Sequence, residues 1–214
     1  MITLVDYNAG NLTSVRRALA HLGLACQITA APDVIRRAER IIFPGVGAAG
    51  AAMATLRARG LDAALSEAFA KGTPILGICL GCQIILEHSE EDNTTCLGLL
   101  PGKTIRFASS PLPKGEEGQG VRERLKIPHM GWNAVNITQP HPLLAHLTPG
   151  DEFYFVHSYY PQPADSRQIY AVCDYGGDFP AAIGKDNLFA TQFHTEKSGP
   201  VGLMLLKNFS NWKI

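Results

Sequence analysis

The sequence predicts an α/β fold with three layers: a mostly parallel central sheet, helices on both of its faces, and an added antiparallel layer. Three observations lead to this prediction. Short apolar runs, such as residues 1–5, 41–43 and 75–78, are typical of strands buried inside a parallel sheet. Stretches with apolar residues at three- and four-residue steps alternate with these runs, as expected for helices that cover the sheet. Beyond residue 128 the strands become shorter and are separated by turns, which predicts antiparallel hairpins.

The first half of the chain predicts a regular alternation of strands and helices. After the strand at residues 1–5, Leu12, Val15 and Leu19 mark a helix that ends at Gly23. The Ala-rich residues 48–70 are expected to form two helices, and the remaining elements are placed by the same patterns. These are strands at 24–29, 40–43 and 75–78, a short helix within 31–40, a break between the two Ala-rich helices near Gly60, and a helical pattern over 83–88.

The second half predicts the antiparallel part of the fold. Its strands are expected at 102–107, 132–137, 152–156, 168–175, 180–184 and 188–193, with hairpins near 176–177 and 186–187. A closing helix is predicted over 199–212. Residues 108–126 are rich in Gly, Pro and Ser and have no hydrophobic period, so we expect a mobile surface loop there and assign it no function. We expect residues 1–214 to form a single domain.

Composition excludes several classes of function. The chain has 19 Lys and Arg against 19 Asp and Glu, without a basic block, which argues against nucleic acid or an anionic membrane as the main partner. We expect the N-terminal residues to form a strand and not a signal peptide, and no apolar run is long enough for a membrane span. Five cysteines form no disulfide framework, so we expect a reduced cytoplasmic protein.

Cys79 is the candidate nucleophile. It lies between Gly77 and Gly81, where the apolar run of residues 75–78 gives way to a helical pattern. A nucleophile between strand and helix occupies a tight turn, and flanking glycines leave room for its strained backbone. The helix start favours a thiolate, and the backbone N–H of Leu80 is available as an oxyanion donor. Alternatively, Cys79 is a small buried apolar residue, which is the commonest environment of a free cysteine.

His194 and Glu196 complete a candidate catalytic triad. They follow the strand-like run 188–193, and residues two apart on an extended chain point to the same face. Glu196 can then orient His194 while His194 takes the proton of Cys79. A His-x-Glu pair alone is more often a solvated surface pair, but an elbow cysteine in the same chain favours the triad.

A second loop at the same edge of the sheet is the candidate for the other oxyanion donor. Residues 44–47, Pro-Gly-Val-Gly, follow a predicted strand, as do Asp6, Cys79 and His194. The carboxyl ends of parallel strands form the binding edge of such sheets, so these residues are expected to share one site. The loop is either an ordinary strand-to-helix turn or a donor loop, with the N–H of Val46 or Gly47 facing the substrate.

These motifs resemble the class I (triad) glutamine amidotransferases. The resemblance rests on residues 77–81 with Gln83 and on 192–194 with Glu196, and it extends over almost the whole chain. Within that family three further features, the stretches 6–11 and 44–47 and the paired stretches 128–133 and 154–159, are similar to the glutaminase subunit of imidazole glycerol phosphate synthase.

The resemblance implies a glutaminase with no metal or organic cofactor. Cys79, His194 and Glu196 would be its catalytic residues, with backbone oxyanion donors at Leu80 and at Val46 or Gly47. Glutamine is the implied substrate, and Gln83 and Gly45 are the implied glutamine-binding residues.

The implied partner is the cyclase (β/α)-barrel subunit of histidine biosynthesis, joined to this chain as a heterodimer. The cyclase would use the ammonia to make imidazole glycerol phosphate and the aminoimidazole carboxamide ribonucleotide. Asn11, Trp132, Tyr154 and Lys197 are the candidate interface residues, although the aromatic residues of this region can equally be a packed cluster.

Three positions depart from the family pattern, and alternatives remain open. Thr195 stands where relatives carry Pro, Cys82 where they carry Met, and Asn8 where they carry Gly. Thr195 leaves the His-x-Glu backbone less rigid, whereas Asn8 tolerates a positive φ. Cys79 and Cys82 also form a Cys-x-x-Cys pair of the kind used in redox proteins. Further alternatives are an amidotransferase for another partner and a stand-alone Cys hydrolase of γ-glutamyl or peptide bonds.

Overall fold

The computed structural model describes residues 1–108 and 125–214 and confirms the predicted α/β class with three layers. The loop predicted at 108–126 falls almost entirely outside the described residues. The central sheet has eight strands in the order β2-β1-β3-β4-β14-β13-β12-β9, of which the first five run parallel. In chain order the strands are Ile2–Val5 (β1), Cys26–Thr29 (β2), Arg40–Gly45 (β3), Ile75–Cys79 (β4), His88–Ser89 (β5), Thr94–Thr95 (β6), Gly102–Arg106 (β7), His129–Ala134 (β8), Asn136–Ile137 (β9), Glu152–His157 (β10), Tyr159–Pro163 (β11), Ile169–Asp174 (β12), Asp178–Lys185 (β13) and Leu188–Thr191 (β14).

Antiparallel strands are of two kinds. β13, β12 and β9 extend the central sheet, and the two predicted hairpins join β12 to β13 and β13 to β14. The other strands form a two-stranded sheet, β10-β8, and a four-stranded sheet, β11-β7-β5-β6.

Helices cover both faces of the central sheet because its strands are apolar on both sides. On β3, Ile41 and Phe43 face one hydrophobic core and Ile42 faces the other. α1 and α6 pack on the side of Ile42, and α2 to α5 pack on the opposite side. The helices are Leu12–His21 (α1), Pro32–Arg36 (α2), Ala49–Ala58 (α3), Leu61–Ala70 (α4), Leu80–Ile84 (α5) and Gly199–Asn211 (α6).

The helix predicted over residues 83–88 is wrong in extent. The helix after Cys79 begins at Leu80 and ends at Ile84, and residues 88–89 form β5. The apolar run Ile84 to Leu86 is completely buried, so burial all round removed the helical periodicity that would have marked the end of the helix.

Candidate active site

Cys79 occupies a strained turn between β4 and α5, as its neighbouring glycines predict. Its φ is 54° and its ψ is −106°, a conformation that residues with a side chain rarely adopt. A Cβ on Gly81 would overlap the carbonyl oxygen of Phe43, and one on Gly77 would lie 3.0 Å from the Cβ of Ala190. Glycine is therefore required on both sides of the turn. The side chain of Cys79 is 6% exposed and lies at the wall of a pocket.

His194 and Glu196 are paired, but not in the way an extended strand would pair them. β14 ends at Thr191, and Thr195–Lys197 forms a 3-10 turn that brings the two side chains together. Nδ1 of His194 donates to Oε1 of Glu196 over 2.7 Å, and both side chains are completely buried. The backbone carbonyl of His194 accepts a hydrogen bond of 2.6 Å from the hydroxyl of Ser198. These contacts hold the turn that carries Thr195 in place of Pro.

The charge state of His194 is set by its neighbours. Burial alone would lower the pKa of His194, but Cys79 and Glu196 outweigh burial and raise the pKa to about 9. The imidazolium is thus the favoured form at neutral pH. Nε2 of His194 is buried without a hydrogen-bond partner in the described part of the chain, and it remains available to Cys79 and to a substrate.

Asn11 contacts the triad, and its place in a partner interface stays a prediction. Nδ2 of Asn11 donates a short hydrogen bond to Oε1 of Glu196 and lies 3.3 Å from Nδ1 of His194. The loop before α1 turns through positive φ at Asn8 and Asn11, both at 65°, and at Gly10. The expected tolerance of Asn8 for a left-handed backbone is confirmed, and this backbone path brings Asn11 to the triad.

The predicted oxyanion donors differ in whether their backbone N–H groups are free to bind a substrate. Leu80 is the first residue of α5, so its N–H has no partner within its own helix. The N–H of Val46, in contrast, donates to the carbonyl of Ala9 over 2.8 Å and is already engaged. Val46 is therefore not the donor here, which leaves Gly47, whose φ is 108°.

Gly45 is not among the residues that line the pocket, and its role in glutamine binding stays a prediction. It ends β3 and lies against Tyr7, whose hydroxyl a Cβ on Gly45 would overlap. Burial, with a smaller effect of Cys79, raises the pKa of Tyr7 far above its usual range, so the phenol stays neutral. Gly45 is needed for this close packing, one residue behind the pocket wall.

The pocket beside Cys79 has a volume of about 410 Å³. Gln83 lines it as predicted, and the half-buried Glu91 lines it as well. Glu91 accepts the N–H of Ala49 over 2.7 Å, and burial raises the pKa of its carboxyl. The acidic run at residues 90–93 comes shortly after Cys79 in the sequence, just beyond α5 and β5, and this proximity was the available signal. The lining residues are Val46, Gly47, Cys79, Leu80, Gln83, Glu91, Pro128, Val156, His157, Ser158 and Tyr159.

Two buried glutamines connect the pocket wall to the nucleophile. Nε2 of Gln83 donates to the carbonyl of Tyr159 over 2.8 Å and to Oε1 of Gln192 over 3.1 Å. Nε2 of Gln192 in turn donates to the sulfur of Cys79 over 3.9 Å. Gln192 was noticed only as part of the motif before His194, so its contact with Cys79 was missed.

A pair of buried histidines leads from the same carbonyl to β8. Nδ1 of His157 lies 2.8 Å from the carbonyl of Tyr159, and its Nε2 lies 3.0 Å from Nδ1 of His129. The side-chain amide of Asn133 lies 2.8 Å from Nε2 of His129. Burial lowers the pKa of His129 and lowers that of His157 to about 3, so both are neutral at physiological pH.

Three predicted interface residues form one surface patch beside the triad. Trp132 is 51% exposed, its ring centroid lies 6.0 Å from that of Tyr154, and they are paired across β8 and β10. Nζ of Lys197 lies 5.7 Å from the ring centroid of Tyr154, within reach of a cation–π interaction. The same ring lies 6.3 Å from that of His194. Met130, 63% exposed, extends the patch along β8.

Cys82 is unsuited to a redox partnership with Cys79. It is completely buried, and burial together with Cys79 raises the pKa of its thiol well above the ordinary value. A resolving cysteine has to be a thiolate with access to its partner. All five cysteines are free. In residues 1–108 and 125–214 no group of three or more His, Cys, Asp or Glu is placed to hold a metal ion, and no helix is long and apolar enough to cross a bilayer.

Solved structures of other proteins share the fold of this chain. The chain aligns with PurLQS of Thermotoga maritima with a TM-score of 0.73 at 19% identity, covering 98% of this chain and 97% of that one. A structure described as a glutamine amidotransferase aligns with a TM-score of 0.74 at 14% identity, covering 99% and 98% of the two chains. The fold is that of the glutamine amidotransferases.

The sequence comparisons identify the family. A family model for class-I glutamine amidotransferases matches residues 3–211, and the chain belongs to this family. It is 50% identical over 212 residues to the imidazole glycerol phosphate synthase subunit HisH of Nitratidesulfovibrio vulgaris, covering 99% of this chain and 96% of that protein. It is 48% identical over 216 residues to the same subunit of Dechloromonas aromatica, again covering 99% and 96%.

Proposed function

We propose that this chain is the glutaminase subunit of an imidazole glycerol phosphate synthase. It hydrolyses glutamine to glutamate and passes the ammonia to a cyclase subunit, which makes imidazole glycerol phosphate and the aminoimidazole carboxamide ribonucleotide. One observation carries the chemistry: the strained Cys79 shares a sheet edge with the buried pair of His194 and Glu196. The near-complete coverage of subunits with that name supports the place in histidine biosynthesis.

The first step is attack by the thiolate of Cys79 on the carboxamide carbon of glutamine. His194 in its imidazolium form is the natural counter-ion of this thiolate, and its raised pKa keeps the proton on the ring at neutral pH. The oxyanion forms next to the N–H of Leu80. One such donor typically contributes about 3 kcal/mol to the transition state. Gly47 is the candidate for the second donor.

His194 then acts first as an acid and afterwards as a base. Its Nε2 proton passes to the leaving nitrogen, and ammonia departs as the thioester forms on Cys79. The ring, now neutral, takes a proton from water, which attacks the thioester and releases glutamate. Glu196 keeps Nδ1 protonated throughout, so that Nε2 is the nitrogen that exchanges protons.

Glutamine is expected to lie along the pocket with its α-ammonium group toward Glu91. The carboxylate of Glu91 is the acidic group in the pocket wall, half-buried and anchored by the N–H of Ala49. Both protons of Nε2 of Gln83 are used inside the protein, so its contribution to binding comes from the rest of its side chain.

The cyclase is expected to cover the patch of Met130, Trp132, Tyr154 and Lys197. Exposed aromatic and Met side chains next to a cation are typical of the central part of a protein interface. The patch adjoins His194 through Tyr154, so ammonia would be released close to the partner. Protection from water matters because bulk water at neutral pH converts ammonia to a non-nucleophilic ammonium ion. Five free cysteines favour action in the reducing cytoplasm.

The test compares Cys79→Ala with the unchanged chain in complex with the cyclase. We expect Cys79→Ala to abolish glutamine-dependent synthesis and to spare synthesis from added ammonium salt, because only the glutaminase step uses the thiol. Cys96→Ala is the matched control, since Cys96 is buried to a similar extent, 8% exposed, outside the pocket. Loss of ammonia-dependent synthesis in Cys79→Ala would contradict this division of roles.

A second measurement separates the alternatives. Glutaminase activity of the unchanged chain should be low alone and rise strongly with the cyclase and its nucleotide ligand. High activity that the cyclase leaves unchanged would indicate a stand-alone hydrolase. Inactivity under both conditions would indicate another amination partner.

A further inference from the structure

We propose that Gln192 is a positioning residue for the nucleophile, which directs its amide N–H group at the sulfur of Cys79 and stabilises the thiolate. Gln83 holds that amide in the required orientation. The inference rests on the proposed role of Cys79 and adds a fourth side chain to the three of the triad.

The contact between Gln192 and Cys79 is made inside the protein. Gln192 is completely buried, and its backbone N–H donates to the carbonyl of Ala181 over 2.9 Å. Its Nε2 lies 3.9 Å from the sulfur, within the range of hydrogen bonds to sulfur. A buried carboxamide has to use its donors and acceptor, and the sulfur of Cys79 accepts one of these donors.

The orientation of the Gln192 amide follows from the chemistry of its other neighbour. Two acceptors lie next to Nε2 of Gln83, the carbonyl of Tyr159 at 2.8 Å and the amide oxygen of Gln192 at 3.1 Å. The backbone carbonyl can only accept, so the NH₂ group of Gln83 is the end that faces both. Gln192 must present its oxygen to Gln83, which leaves its NH₂ group toward Cys79.

The Tyr159 carbonyl is itself held in place. Nδ1 of His157 donates to it over 2.8 Å, and the hydroxyl of Thr104 donates to the backbone carbonyl of Gln83 over 2.9 Å. The orientation of the Gln192 amide is thus fixed before a substrate arrives.

The N–H group of Gln192 binds the different chemical states of the Cys79 sulfur with different strength. A thiolate is a strong acceptor, whereas a thiol or a thioester sulfur accepts weakly. The amide therefore favours the thiolate of the resting enzyme over the thiol. His194 supplies the opposite charge, and Gln192 supplies a fixed dipole that remains when His194 gives up its proton.

The experiment measures how fast iodoacetamide alkylates Cys79 in the full-length chain, read by mass spectrometry of the Cys79 peptide at pH 7 and at pH 9.5. Gln192→Met keeps the volume and removes the amide. We expect alkylation about three- to tenfold slower at pH 7, the loss of one hydrogen bond of ordinary strength, because the contact with sulfur is long. Equal rates are expected at pH 9.5, because this pH lies above the usual cysteine pKa of about 8.5. An equal rate at pH 7, or the same loss at both pH values, would overturn the proposal.

Two further variants keep the proposal falsifiable if Gln192→Met does not fold. Gln192→Glu places a carboxylate against the sulfur and should slow alkylation at pH 7 more than Gln192→Met. Gln83→Met lets the Gln192 amide rotate and should produce a smaller loss at pH 7 alone. If neither variant slows alkylation at pH 7, the proposal is wrong.

Asn187→Leu is the control for general destabilisation. Its carboxamide is also buried and donates to the carbonyls of Phe69 and Thr73, away from the pocket, so its loss should leave alkylation of Cys79 unchanged at both pH values. Failure of the proposed function would look different, because Cys79 of the unchanged chain would then react no faster at pH 7 than Cys26, a half-buried thiol elsewhere.

Discussion

Two buried pairs of side chains in this molecule contain histidine and have opposite charge states. In the pair of His194 and Glu196, His194 is completely buried, and its pKa is raised to about 9. In the pair of His129 and His157, His129 is completely buried as well and His157 is 6% exposed, yet burial lowers the pKa of both, that of His157 to about 3.

The difference lies in the partners of the rings. His194 faces Glu196 and Cys79, the two acidic groups that raise its pKa, whereas His129 and His157 face each other, a backbone carbonyl and an amide. Burial penalises an imidazolium in all three cases, and only adjacent anions compensate for the penalty. The acid–base chemistry therefore belongs to His194, which has acidic neighbours. The neutral pair of His129 and His157 has a structural role.

Removing the anion from the first pair should have the largest effect. Glu196→Gln keeps the shape but takes away the charge, so His194 loses the preference for the imidazolium and for the tautomer protonated at Nδ1. We expect glutamine hydrolysis by the complex to fall on the order of 10³-fold. NMR titration of the His194 ring should show a lower pKa.

Glu152→Gln is the matched control, because Glu152 is exposed at the start of β10. It should change neither the rate nor the titration. An unchanged pKa of His194 in Glu196→Gln would mean that Cys79 alone sustains the charge.

A carboxylate placed next to His129 should raise the pKa of this ring, as Glu196 raises that of His194. Asn133→Asp places a carboxylate at the position now 2.8 Å from Nε2 of His129. We expect the pKa of His129 to rise above its ordinary value, measured by NMR titration of the ring, while Asn133→Leu should leave it low. Ammonia-dependent synthesis by the complex should persist. A pKa of His129 that stays low beside the introduced carboxylate would show that burial, and not the partner, dominates.

The smallest expected effect is on stability, where the two pairs act in opposite directions. The folded pKa of His194 lies above the unfolded value of 6.5, so its contribution is complete below pH 6.5 and is lost as the pH rises to about 9. His157 has a folded pKa of about 3, so its contribution is present above pH 6.5 and is lost as the pH falls toward 3. His141, whose pKa burial lowers to about 4, adds to the acid side.

We therefore expect the free energy of unfolding in urea to be greatest near pH 6.5. Cys79→Ala removes one of the groups that raise the pKa of His194 and should flatten the alkaline side of the profile. His157→Phe should flatten the acid side, and His21→Gln, at an exposed position of α1, should leave both sides unchanged. A profile that rises steadily through pH 9 would contradict the assignment for His194.

Features encoded by neighbouring residues could be predicted from the sequence, and features that depend on distant contacts could not. Gly77 and Gly81 predict the strained turn at Cys79, because the turn leaves no room for a Cβ at either position. The hairpins at 176–177 and 186–187 are likewise local. By contrast, Asn11 reaches Glu196 across 185 positions of sequence, and Gln192 reaches Cys79 across 113. Polar residues of this kind carry no periodic signal that would predict their partners.

Residues 44–47, the candidate oxyanion loop, show that even a local motif does not predict every contact. The Pro-Gly-Val-Gly motif predicts where the backbone can turn, but not which way a peptide plane faces. That is decided by Ala9, a residue from another strand end, whose carbonyl holds the N–H of Val46. Similarly, the pairing of His194 with Glu196 was predicted correctly while its geometry, a 3-10 turn and not a strand, was not.

The hydrogen bonds of the neutral pair of His129 and His157 all run in one direction. The Tyr159 carbonyl obliges His157 to carry its proton on Nδ1, so Nε2 of His157 accepts from Nδ1 of His129. Every bond then points inward, from the strand beneath the exposed patch to the carbonyl that orients Gln83. Reversing one bond would leave two acceptors face to face at the next. The two rings therefore behave as a row of aligned dipoles, with the positive end at His129 and the direction set by the backbone carbonyl oxygen of Tyr159.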